Sequence, residues 1–209
     1  MSTIPLHLTP CIEWGVATQP LPGQSVSGDL HLVEPFAHGA LVAVVDGLGH
    51  GGEASAAAGI AIEFLKGNAS QSVTGLVQRC HEALLQTRGA VITLASFNTL
   101  DSTLSWLGVG NVAGLLLRAD TRATPACESA LLRGGVVGYQ LPALRASVLA
   151  VSVGDLLILA SDGIRGGFEQ CVIAASEPQQ NADRIMSQYY KGTDDALALV
   201  ARYLGTGHD

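Results

Sequence analysis

The sequence predicts an α+β fold in which antiparallel sheets carry helices on their outer faces. Three observations lead there. Apolar runs, some alternating with period two and some unbroken, recur along most of the chain, as strands buried on one or both faces require. Two helical patterns stand together early and one more comes late, unlike the regular strand–helix alternation of a doubly wound parallel sheet. The connectors between successive strand patterns are short, and short connectors join antiparallel neighbours. The 209 residues, 48% of them hydrophobic, suit one domain over 1–209 with a sizeable core.

Residues 11–18 and 26–34 read as strands separated by the turn-rich Gln19-Pro20-Leu21-Pro22-Gly23. Residues 39–45 are uncharged and rich in valine, the pattern of a strand covered on both faces. Over 53–66, Ala57, Ala61, Phe64 and Leu65 share one face of a helix. The first half of that helix is nearly all alanine and glycine, small enough to lie close against a sheet. A second helix spans 72–87, with Val73, Leu76, Val77, Cys80 and Leu84 at helical spacing. Residues 89–97, 103–109 and 112–118 then read as consecutive strands of an antiparallel meander, and 120–129 as a loop. Strands over 130–133, 144–151 and 155–160, a helix over 182–190 and a last strand over 196–203 complete the order.

A net charge of −7, with 11 Lys and Arg scattered along the chain, argues against the clustered basic footprint that nucleic acid demands. Cys11, Cys80, Cys127 and Cys171 form no CxxC pair and read as reduced, mostly buried thiols. The most apolar stretch, 148–160, is interrupted by Gly154-Asp155 and is too short to span a membrane. No basic n-region with an apolar core opens the chain. The expectation is a cytoplasmic protein, with neither nucleic acid nor membrane among its partners, that meets another protein or a small phosphoester.

Function is signalled where strands end. Asp46-Gly47-Leu48-Gly49-His50-Gly51 follows the buried run 39–45, and Ser161-Asp162-Gly163-Ile164 follows 155–160. Gly192-Thr193-Asp194-Asp195 opens 196–203, and Ser27-Gly28-Asp29-Leu30 lies early. Turns favour Asp and Gly for local reasons alone. In a chain with only 14% charged residues, however, such aspartates at three strand ends stand out. No Cys or His cluster accompanies them, so the donors are all oxygen, which suits Mg²⁺ or Mn²⁺ over Zn²⁺.

These pieces, in this order and with Leu107-Gly108-Val109-Gly110-Asn111 among them, resemble the metal-dependent protein phosphatases (the PPM, or type 2C, family). Within that family they resemble the bacterial SpoIIE/RsbX-like branch. The resemblance implies a four-layer α-β-β-α sandwich of two antiparallel sheets flanked by helices. It also implies hydrolysis of phosphoserine or phosphothreonine by water activated with two Mn²⁺ or Mg²⁺ ions. The substrate it implies is a phosphorylated STAS-domain protein, a stressosome component or an anti-anti-sigma factor. By the same resemblance Asp46 bridges the ions, with the Gly47 carbonyl as a second oxygen ligand that glycine leaves free to turn inward. Asp162 and Asp194 complete one ion's ligands, and Asp29 holds waters of the other. Asp195 reads equally as a supporting or auxiliary metal ligand and as a solvated strand-end carboxylate. His50 is either a general acid near neutral pH or a turn residue bonded to backbone. Asn111 stands where relatives often carry an aspartate, so a third ion is not implied. Arg165 and Arg133 are candidates for a phosphate contact, and each also reads as a solvated loop arginine.

Two other activities fit parts of the chain. A pseudophosphatase would bind a phosphoprotein without turning it over; the intact carboxylate set speaks against it. A histidine-kinase-like nucleotide-binding switch would carry a D-x-G-x-G box, which Asp46-Gly47-Leu48-Gly49 misses by one residue. It also leaves Asp162 and Asp194 without a role. Substrate choice is expected to rest on docking, with the glycine-rich loops 134–139 and 165–168, carrying Tyr139 and Phe168, as the surface.

Overall fold

The computed structural model describes residues 11–205. The chain runs β1 (Ile12–Gln19), β2 (Asp29–Phe36), β3 (Gly39–Gly47), α1 (Gly52–Lys66), α2 (Val73–Leu84), β4 (Ala90–Asn98), β5 (Thr103–Val109) and β6 (Ala113–Leu117). It continues through β7 (Cys127–Ser129), β8 (Leu132–Arg133), β9 (Ser147–Ala150), β10 (Leu156–Ala160), α3 (Pro178–Tyr189) and β11 (Ala196–Tyr203). One sheet has the strand order β1-β11-β10-β6-β7; the other has β2-β3-β4-β5-β8, with β9 added beside β5. The pairings are antiparallel except that of β5 with β8.

The alternation within β3 shows why the layers stack. Ala40, Val42 and Val44 enter the space between the sheets, where Leu157, Leu159, Leu197 and Leu199 meet them from the opposite side. Leu41, Ala43 and Val45 point the other way, onto Ala58, Ala61, Leu65, Leu76, Val77 and Cys80 of α1 and α2. On the far face of the other sheet, Ala182 and Ile185 of α3 cover Ile158, Ala198 and Val200. Helices, sheet, sheet and helix therefore form the four layers that the resemblance implied. Among the described residues no helix is long and apolar enough to cross a membrane.

The meander expected over 89–118 does not form. β4 and β5 pair in one sheet, but β6 joins the other, beside β10. The reversal is made at Gly110, whose φ of +101° is open to glycine and whose missing side chain leaves room for Val91. The residues expected as a loop over 120–129 include β7, which pairs with β6. α3 starts at Pro178, four residues before its expected start, with proline in the first turn, where its missing N–H costs no helical bond. α2 stops at Leu84, three residues early, where the Thr87 hydroxyl takes over the Leu84 carbonyl at 2.8 Å.

Candidate functional site

The β2–β3 register places Asp29 directly opposite Asp46. Residues opposite each other in an antiparallel pair share a face. Asp46 has the parity of Val42 and Val44, so this face looks between the sheets. The facing sheet contributes Ser161 and Asp162 just past β10, and Asp194 and Asp195 just before β11. The Ser161 hydroxyl ties these two ends together, accepting the Leu197 N–H at 2.8 Å. Asn111 arrives from the crossover between the sheets and donates its amide to Asp162 Oδ2 at 2.7 Å. Asp46, Leu48, Gly49, His50, Val91, Asn111, Asp162 and Asp194 line a cavity of about 210 Å³ at this end of the sandwich.

Gly47 has a different reason from the one expected. It is not among the residues with positive φ. A Cβ there would overlap the carbonyl of Ala54, so glycine is needed because α1 passes so close. The alanine-rich first turns of α1 complete that close approach.

The Asp194-Asp195 pair divides its roles. Asp194 lines the cavity. Asp195 is 3% exposed, so it is not the solvated strand-end carboxylate of the alternative expectation. Its two oxygens accept the N–H groups of Leu21 and Gly28, each at 2.7 Å. Gly28 in turn accepts the Gly47 N–H at 3.1 Å. Asp195 thus fixes the connector ahead of β2 and, through Gly28, the relative position of Asp29 and the Asp46 loop.

Carboxylates crowd this end with little counter-charge. Asp29 is buried, and its Oδ2 has no hydrogen-bond partner among the described residues. Burial pushes Asp29 up to about 7, with the Asp195, Asp162 and Asp194 charges adding to the rise and the Ser161 hydroxyl opposing it. Asp46 goes up to about 8, first through burial and then through Asp29, Asp162, Asp194 and Asp195. Burial and Asp194 raise Asp162 against the pull of Lys191 and Asn111. Among the described residues no three His, Cys, Asp or Glu side chains are drawn into a ready-made ligating cluster. The chemistry of the donors is nonetheless uniform: oxygens of Asp29, Asp46, Asp162, Asp194 and the Gly47 carbonyl, a hard set suited to a hard cation.

Other expected residues separate. His50 is exposed on the cavity rim. Arg165 is turned away, its guanidinium donating to the Gln188 carbonyl at 2.6 Å and its backbone N–H to Tyr189 at 2.8 Å, both at the end of α3. Arg133 does not line the cavity; its carbonyl accepts the Gly110 N–H at 2.8 Å and its buried Nε has no partner among the described residues. Phe168 is 4% exposed and packs in the core under α3, so it offers no docking anchor, whereas Tyr139 is 81% exposed. The two glycine-rich loops also belong to opposite outer layers. Gly138 N–H bonds His81 Nδ1 of α2 at 2.9 Å, while the Arg165 loop bonds the end of α3. They do not make one surface.

Two cations went unread in the sequence. Lys191 Nζ donates to the Asp162 carbonyl. Arg88, ion-paired to Glu53, places Nη1 2.9 Å from where a Cβ on Gly49 would stand. Lys191 had a signal in its closeness to Asp194; Arg88 had none, since only the fold brings it to the Gly49 loop.

The SpoIIE family, described as Stage II sporulation protein E (SpoIIE), matches residues 37–204, a span that takes in Asp46, Asp162 and Asp194 and begins after Asp29. A 94-residue stretch is 29% identical to the phosphoserine phosphatase RsbX of Bacillus subtilis (strain 168), covering 45% of this chain and 47% of RsbX. The match thus spans about half the length of that curated relative. A solved chain described under "The bacterial stressosome: a modular system that has been adapted to control secondary messenger signaling" superposes with a TM-score of 0.84. It is 30% identical, over 91% of this chain and 99% of its own length. RsbX in complex with magnesium superposes with a TM-score of 0.81 at 20% identity, over 92% of this chain and 95% of RsbX, a likeness of fold. With most of its length inside the family match and its two sheets arranged as in the PP2C-type structures, the chain belongs to the SpoIIE family.

Proposed function

We propose that this chain is a protein serine/threonine phosphatase that works with two Mn²⁺ or Mg²⁺ ions and acts on a phosphorylated STAS-domain protein. The observation that carries this conclusion is the Asp29–Asp46 pair. Two carboxylates are set opposite each other by strand register and raised in proton affinity near Asp162 and Asp194; Asp46 is half-buried, and Asp29 is buried with one oxygen unpartnered among the described residues. Such an arrangement is unfavourable by itself and becomes favourable with a divalent cation. Asp46, the Gly47 carbonyl, Asp162 and Asp194 would hold the ions, and Asp29 would hold their waters. When bound, the ions lower the pKa of the attacking water and draw charge off the phosphoryl oxygens. The remaining work falls to the chain. Asn111 orients Asp162 through its 2.7 Å bond, and Lys191 anchors the Asp162 backbone. His50, exposed at the rim, would give a proton to the departing seryl oxygen if it acts as the general acid rather than as a turn residue. The STAS-domain substrate is supported by the likeness to RsbX and to the stressosome-associated chain.

The test is hydrolysis of a phosphoserine peptide by the purified chain, with Mn²⁺, with Mg²⁺ and after EDTA. Turnover that appears with the ions and stops with the chelator is expected. Undiminished turnover by metal-stripped protein would overturn the two-ion mechanism, and phosphopeptide binding without turnover in excess Mn²⁺ would mark a pseudophosphatase.

A further inference from the structure

The geometry points to Arg88 as the group that reads the substrate's phosphate, held by Glu53 in the hollow on the outer side of the Gly49 loop until a phosphoprotein displaces that carboxylate. This rests on the phosphatase reading above. Arg88 lies in the connection between α2 and β4, outside the carboxylate motifs.

The backbone under Arg88 is fixed. The Thr87 hydroxyl donates to the Leu84 carbonyl at 2.8 Å and accepts the Gly89 N–H at 2.9 Å. The Gly89 carbonyl accepts the Leu48 N–H at 3.1 Å, which fastens the turn to the Asp46–Gly51 loop. Only the side chain is left to move. Its Nη1 stands against Gly49, itself part of the cavity wall. A Cβ at Gly49 would lie 2.9 Å from that nitrogen, so the guanidinium tip already touches the backbone that walls the cavity.

The present partner is easily exchanged. The Arg88 and Glu53 side chains are 53% and 71% exposed, and an exposed ion pair contributes little and is screened by salt. A guanidinium on a phosphate dianion makes two parallel charge-assisted bonds, a stronger arrangement. Five of the eight other guanidiniums are committed elsewhere, Arg118 to Asp155 and Glu128, Arg202 to Glu13, Arg122 to Asp120, Arg165 to a helix-end carbonyl and Arg184 to Asn181, and none of Arg79, Arg133 and Arg145 lines the cavity. A dianion approaching this carboxylate-rich end of a chain with net charge −7 meets repulsion. A cation that can swing over Gly49 offsets it at the entrance.

The experiment measures kcat and KM for wild type, Arg88→Ala, Arg88→Lys and Glu53→Gln with Mn²⁺, on p-nitrophenyl phosphate and on a phosphoserine peptide. Arg88→Ala should raise KM about tenfold on both substrates with kcat nearly unchanged, as loss of hydrogen bonds to a charged group predicts. Arg88→Lys should recover part of that loss, and Glu53→Gln should lower KM. A second readout needs no turnover: inorganic phosphate should raise the Tm of the Mn²⁺-loaded wild type and do so less in Arg88→Ala. An unchanged KM on both substrates, or a fall in kcat alone, would overturn the assignment. A KM raised on the peptide only would also overturn it, since Arg88 would then read the flanking chain. Absence of any hydrolysis by the wild type would instead overturn the phosphatase reading, leaving the Tm shift to decide on Arg88.

Discussion

Two aspartates are buried to nearly the same depth, Asp155 at 2% and Asp29 at 3% exposure, and their surroundings are opposite. Asp155 accepts from Arg118 Nη1 at 2.9 Å, from the Ala119 N–H at 2.8 Å and from the Ser152 N–H at 3.0 Å. Arg118 also pairs with Glu128. Asp29 faces other carboxylates, and one of its oxygens has no partner among the described residues. The first arrangement is finished by the chain itself and holds strands together. The second is left incomplete, with the deficit concentrated where a cation would remove it. Burial alone therefore does not separate a structural carboxylate from a functional one; the count of donors does.

Exchanging the two kinds of carboxylate for alanine is the most direct way to break this contrast. Asp46→Ala or Asp162→Ala should cut turnover by more than about a hundredfold, beyond what loss of a supporting partner costs a metal site. Neither should lower the Tm of the metal-free protein. Asp155→Ala should instead destabilise by about 3–5 kcal/mol, because the Ala119 and Ser152 N–H groups and one Arg118 nitrogen lose their acceptor together, at about 1–3 kcal/mol each. In a chain of this length each kcal/mol is about 2–4 °C in Tm. Thermal melts and turnover numbers on the same samples check both, and an active Asp46→Ala enzyme would erase the distinction.

The pH dependence sharpens it. Asp46 ionises at about 8 in the folded protein against an ordinary value of 3.8, and Asp29 at about 7. As pH rises the unfolded chain releases these protons first, so the folded state binds more of them and stability falls with pH. The Tm of the metal-free protein should decline from about pH 4 to about pH 8, the interval between the ordinary and shifted values, and Mn²⁺ should flatten the decline. A metal-free Tm that rises over this interval would contradict the crowding of uncompensated charge. A smaller effect is expected at Asp195, which belongs to the finished kind despite its position. Asp195→Asn offers one acceptor oxygen for two N–H groups, at about 1–3 kcal/mol. By loosening Gly28 it should raise the Mn²⁺ needed for half-maximal activity by about tenfold. Loss of activity that no Mn²⁺ concentration restores would make Asp195 a ligand instead.

Most elements were legible because their signals are local. Val73, Leu76, Val77, Cys80 and Leu84, selected by spacing, are the buried residues of α2. β5 begins and ends where its pattern does. What failed was set by distant partners. No local feature sends β6 to the other sheet; the positive φ at Gly110 and the partner strand β10 do. Asp194 and Asp195 are indistinguishable in sequence, and Leu21 and Gly28, far away along the chain, decide between them. Tyr139 and Phe168 each follow glycine, yet only Phe168 lies over a surface it can fill. The carboxylates at strand ends were readable because glycine and scarcity of charge mark them. Arg88 was not, because nothing marks a side chain that the fold alone brings to Gly49.

The candidate site is divided between the two sheets, with Asp29 and Asp46 on one and Asp162 and Asp194 on the other. A cation held by both halves would act as a clasp at one end of the sandwich. Its affinity would then depend on how the two layers ride on each other, and so on side chains that never touch it. The stacked rings of Phe97 and Tyr203, 5.5 Å apart in the core between the sheets, belong to that set. Metal affinity would thereby become a gauge of layer alignment, and a core substitution that slides one sheet over the other would be felt first as a weaker grip on the ion.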